Sequence, residues 1–132
     1  MTSRWNNDEG SVALWVIVIG AVLLSTGGVV YDTADKANEA RRATMVANEA
    51  GRAAAQELSA DVIGGTSYDI DAGAAASAAQ QYLRSAGVNG TVEVDGTRVV
   101  ITTSIPWAPT VLPMPSDTLT GNATVETKEA AQ

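Results

Sequence analysis

The pattern of hydrophobic and polar positions changes character near Tyr31. From Val12 to Tyr31 (VALWVIVIGAVLLSTGGVVY) no charged residue interrupts the apolar run. A helix of about 20 such residues matches the hydrocarbon core of a bilayer and satisfies its own backbone there. Trp15 near the entrance and Tyr31 at the exit suit the two aromatic belts of a membrane span. Val12 and Leu24 belong to the anchor, while Gly20 and the Ser25-Thr26-Gly27-Gly28 cluster loosen the helix or let another helix approach closely. From Asp32 to Ala60 the chain becomes charged and alanine-rich. Ala34, Ala37, Ala40, Thr44, Ala47, Ala50 and Ala54 recur at three- and four-residue steps and draw a narrow face of small side chains. Asp32 with Lys36, Glu39 with Arg42 and Glu49 with Arg52 fall at helical spacings for ion pairs. The pattern predicts one helix of about 45 residues, roughly 70 Å long, running out of the membrane.

Ile63-Gly64-Gly65-Thr66 breaks that pattern. Ala72–Ala86 predicts a short second helix closed by Gly87. The period then becomes two. Thr91–Asp95 and Thr97–Ile105 predict a β-hairpin turning at Asp95-Gly96, with Val92 opposite Val99, Glu93 opposite Arg98 and Val94 opposite Thr97. Val92, Val94, Val99 and Ile101 then share one face. Pro106 to Pro115 (PWAPTVLPMP) excludes a helix or a central strand and predicts an extended apolar loop. Asp117–Lys128 alternates Leu119, Gly121, Ala123 and Val125 and predicts a third strand, followed by a frayed end from Glu129. The expected class is α+β: a polar tail over 1–11, a transmembrane helix over 12–31, its extension over 32–60, and a small domain with an antiparallel sheet over 61–132.

Composition narrows the function. The net charge is −7 with Lys+Arg at only 8, which argues against nucleic acid as a partner. There is no His and no Cys, so the commonest general base, thiolate metal sites and disulfides are all excluded. No Ser/Lys pair, carboxylate pair or phosphate loop stands out, and neither an enzyme, a cofactor nor a small-molecule substrate is expected. Asp69-Ile-Asp71 has the first spacing of a calcium loop without its distal ligands, and Asp71 equally suits a cap for the helix at Ala72. A secretory signal would carry a basic start and a shorter apolar core. Here Arg4 stands against Asp8 and Glu9, so the run is expected to stay in the mature protein.

Two surfaces have alternative readings. The face through Ala40, Ala47 and Ala54 either receives the chain's own C-terminal domain or packs against a second helix, including another copy of this chain. Trp107, Leu112 and Met114 either cover a core poor in large residues or form a contact for a partner.

The N-terminal half carries a resemblance. A charged start ending in Gly (Asp8-Glu9-Gly10-Ser11), an immediate apolar helix, Val30-Tyr31-Asp32 at its exit and the run ANEARRATMVANEAGRAAAQEL resemble the TadE/TadG-like proteins of tight-adherence pilus systems. The actinobacterial-type members look closest. The resemblance spans about Asp8 to Leu58. It implies a pilin-like or pseudopilin-like protein of the cytoplasmic membrane whose partners are lipid, other pilus subunits and the assembly platform. It also implies a cleavage site between Gly10 and Ser11, although the chain lacks the Glu that prepilins place a few residues into the apolar helix. Counting Lys and Arg beside the membrane would leave the C-terminal domain inside. The resemblance puts it outside, on a Thr/Ser-rich and Lys-poor surface, and that is the orientation expected here. The rival expectation is a membrane-tethered binding module unrelated to a pilus, contacting its partner through the Trp107 loop.

Overall fold

The computed structural model describes residues 6–63, 72–96 and 98–126. The break at Gly64–Thr66, the Asp69/Asp71 pair and the end from Glu129 lie outside the described residues. The elements are α1 (Asn6–Ile63), α2 (Ala72–Ser85), β1 (Asn89–Asp95), β2 (Arg98–Trp107) and β3 (Asp117–Glu126). The fold is α+β, with one antiparallel sheet of order β1-β2-β3.

α1 is a single helix of 58 residues, about 87 Å long at ~1.5 Å per residue. It starts earlier than expected, because residues 6–11 form its opening turns instead of a tail. α1 is also the one described helix long and apolar enough to cross a membrane, its most apolar stretch reaching a mean hydropathy of 2.3. From Gly10 to Gly27 every residue is exposed except half-buried Gly20.

Past Gly28 the same helix becomes the spine of the domain. Ala43, Ala47, Ala50, Ala54 and Leu58 are buried along one stripe. Ala75, Ala79 and Leu83 of α2, spaced four apart, pack on that stripe together with Val99 and Ile101 of β2. The alanine face is therefore occupied by the chain's own domain along Ala47–Ala54. Ala40 is half-buried and Ala34 and Ala37 are exposed.

Small residues let the sheet approach closely. A Cβ on Gly121 would collide with the backbone of Ala43 and Thr44. At that crossing the buried hydroxyl of Thr103 donates to the carbonyl of Ala43 at 2.8 Å, so a polar side chain within the core has its partner.

Gly87 closes α2 as the sequence predicts. With φ at +66° it allows Val88 N–H to reach Leu83 C=O at 3.1 Å and Gly87 N–H to reach Arg84 C=O at 3.2 Å, the paired bonds of a Schellman cap.

Two local expectations are corrected. In the hairpin Val92 pairs with Ile101, Glu93 with Val100, Val94 with Val99 and Asp95 with Arg98. The left-handed Gly96, at φ +59°, follows the last paired residue Asp95 instead of sharing the turn with it, and every pair moves by two; Thr97 lies outside the described residues. A shift of two preserves the faces, so Val99 and Ile101 still point inward. Val94, at the hairpin tip, is exposed. Second, Pro106 and Trp107 end the central strand and do not begin a loop. β1 stops at the Asn89–Ser104 pair, so β2 has β3 alone as neighbour beyond that point, and a one-sided stretch tolerates proline.

Ala47→Leu is expected to overfill the α1–α2–sheet core and to cost about 1–3 kcal/mol of stability. Gly121→Ala should do the same by pushing β3 off Ala43. Gly20→Ala, where an added Cβ meets nothing within 4 Å, should be neutral or slightly stabilising. Chemical denaturation of the three variants in detergent, followed by circular dichroism, checks the ordering.

Candidate functional site

β2 runs back along α1 toward its apolar half, and the segment after it arrives where that half begins. Trp107, the last residue of β2, is only 6% exposed. Its indole N–H donates to Asp35 Oδ2 at 2.9 Å, and Lys36 Nζ sits 5.1 Å from the ring centroid, close enough for a cation–π contact. Lys36 also holds Asp117 at 2.7 Å. The indole is thus committed to α1, and the expectation of Trp107 as an exposed partner contact is corrected.

Three residues further on, the chain turns over Asp32. Its carboxylate is 1% exposed and accepts three successive backbone N–H groups: Thr110 at 3.0 Å, Val111 at 3.2 Å and Leu112 at 2.9 Å. Consecutive amides converging on one anion form a nest. Immediately below, Gly28 is buried, and a Cβ there would stand 2.6 Å from Val111 Cγ1. What packs on Gly28 is the chain's own loop and not the second helix expected there.

The expected Asp32–Lys36 pair is replaced by these contacts, since Lys36 is engaged by Asp117. The other two intrahelical pairs form, Glu39–Arg42 at 3.5 Å and Glu49–Arg52 at 2.9 Å. Arg98, expected opposite Glu93, pairs with Glu126 on β3.

Burial pushes the Asp32 carboxyl up, but the amides of Leu112, Thr110 and Val111 outweigh it and hold the group below its ordinary value. Asp117 is lowered as well, chiefly by the Lys36 hydrogen bond and then by the Thr118 amide. An open cleft of about 390 Å³ lies between these groups, bordered by Asp32, Lys36, Trp107, Met114 and Asp117. Its polar groups are already engaged with one another. The Asp32 carboxylate is taken up by three amide donors, so its evident role is to fix the position of the loop. Among the described residues no cluster of three or more His, Cys, Asp or Glu is placed to hold a metal ion.

The remaining candidate residues fall into three groups. Val12, Trp15, Leu24 and Tyr31 are exposed on the free part of α1, Gly20 among them is half-buried, and Gly10 and Ser11 lie exposed within its opening turns. Ala47 and Ala54 are buried against the domain, and Ala40 is half-buried. Leu112 is half-buried, and Met114 is 49% exposed.

Removing the carboxylate by Asp32→Ala should free the loop while leaving the sheet intact. Amide exchange at Thr110, Val111 and Leu112 is expected to accelerate on the order of tenfold, with the β2–β3 amides unchanged. Acid should have the same effect. Asp32 and Asp117 have folded-state values below their unfolded ones, so their contribution is complete above about pH 4. It is lost as pH falls through the lowered folded values, and exchange measured down that range should accelerate at the loop before the sheet. Compared with known proteins, the chain matches no family model, no curated protein and no solved structure.

Proposed function

We propose that this chain is a membrane-anchored, pilin-like subunit of a tight-adherence pilus system, a minor subunit or assembly factor instead of the bulk filament protein. It acts through helix packing and contacts of its domain, without catalysis. The observation that supports this reading most is the division of α1. One unbroken helix leaves Gly10–Gly27 bare and apolar, about 27 Å at ~1.5 Å per residue, and uses its remainder as the spine of a small α+β domain. A bare stretch of that length matches one hydrocarbon core.

The family resemblance over Asp8–Leu58 supplies the pilus. It also gives the orientation, with the domain outside the cytoplasmic membrane, on the cell surface or in the pilus itself. The missing Glu after Ser11 is why a minor role is favoured over the filament subunit. Because the alanine stripe from Ala43 to Leu58 is filled by the chain's own domain, lateral packing with other subunits or with another copy falls to the bare half of α1.

Deletion of the gene in its native host should reduce surface filaments several-fold by electron microscopy, with recovery on complementation. Crosslinking should capture subunits or platform proteins of the same system. Undiminished filaments together with no such crosslink would overturn the assignment. For the orientation, exposed Ser85 on α2 replaced by Cys should react with an impermeant maleimide in intact cells made permeable only at any outer barrier. Labelling confined to lysed cells would reverse the topology.

A further inference from the structure

The segment 110–115 has an unusual backbone. Thr110, Val111 and Leu112 each donate their N–H to Asp32. Pro113 and Pro115 have no N–H, and Met114 N–H donates to Leu112 C=O at 2.8 Å. No amide hydrogen in these six successive positions is left for water. A loop in water has no need of this, because solvent satisfies free donors. Beside hydrocarbon every free donor is costly, so a loop whose amides are all engaged within the protein can rest against it with only its carbonyls left to the headgroup side.

Placement agrees with the donor count. Val111 packs on Gly28, three residues inside the end of the apolar run, about 4–5 Å along the helix axis at ~1.5 Å per residue. On the same turn Val29 and Val30 are exposed around the rest of the helix. Whatever apolar medium covers them is at the depth of the loop. The loop offers that medium Val111, 53% exposed, and Met114, 49% exposed; Asp32 is sealed beneath the loop, and the exposed Lys36 and Asp117 on the far side of Met114 are paired with each other at 2.7 Å.

We infer that residues 110–115 form a second membrane contact, resting in the headgroup–acyl boundary beside the exit of α1, with Val111 and Met114 against lipid. This rests on the reading of Val12–Tyr31 as a membrane span. The occupant is lipid because the loop's exposed apolar surface continues that of the anchor at the same depth. The contact fixes how the domain sits on the membrane: one helix alone leaves it free to swing, and a shallow apolar wedge on one side sets its tilt and its rotation about α1.

The chain has no Cys, so single-Cys variants report without background. Val30→Cys, Met114→Cys and Ser85→Cys in the full chain, labelled with an environment-sensitive fluorophore, are reconstituted into phosphatidylcholine/phosphatidylglycerol vesicles containing shallow spin-labelled lipid. The expected result is quenching at position 114 at least about half as strong as at position 30, with position 85 unquenched. Quenching at position 30 alone would overturn the inference and leave the anchor standing. No quenching at position 30 would overturn the anchor and the inference with it. A blue shift at position 114 that follows protein-to-lipid ratio, without quenching by lipid, would assign the loop to a second copy and overturn the lipid contact.

Discussion

Asp32 directly follows the apolar stretch of α1, where a buried carboxylate needs donors, and backbone amides supply them. Three N–H groups of one loop converge on it, so the charge keeps its solvation without water and without a cation. The arrangement acts in both directions. The loop satisfies the carboxylate, and the carboxylate satisfies a loop that has few other places to send its donors. Because β2 leads directly into that loop, the nest also sets where the sheet ends along α1.

Close approach does the rest. The domain has no Phe, and its largest fully buried side chains are Ile101 and Val99. Such a core gains little area per residue, so it depends on dense contact. Ala43, Ala47, Ala50, Gly51 and Ala54 present an almost smooth helix surface, and Gly121 lets β3 touch it. The same smoothness explains why the alanine stripe resembles an assembly surface in sequence: small residues serve both purposes, and their spacing carries no information about which neighbour arrives.

The elements were largely legible in the sequence because each has a strong local cause. The absence of charge over Val12–Tyr31, the left-handed Gly87 after α2 and the alternation in β3 all act within a few residues. What local pattern could not place was contact between distant segments. Asp32 has Lys36 one turn away, and only the fold reveals that Lys36 is drawn to Asp117 and Asp32 to residues 110–112. The Pro-rich run was read as a loop from its prolines, yet its first two residues continue β2 because β1 has already ended. A signal for the Asp32 site was present all the same. An acidic residue directly after an apolar run needs donors, and a Pro-punctuated apolar loop has few amides to spare.

In the proposed membrane reading, lipid covers α1 up to the level of the loop, and water meets it directly above. Nitroxides at Val18, Val22, Ser25, Val29, Thr33 and Ala37, all exposed on α1, would locate that boundary in vesicles by their accessibility to oxygen and to a water-soluble relaxant. The account predicts lipid-like accessibility through Val29 and water-like accessibility from Thr33 onward, a change within a single helical turn. Water-like accessibility at Val22 and Ser25 would contradict it, because the boundary would then lie well below the loop and the Asp32 nest would be a feature of a soluble surface.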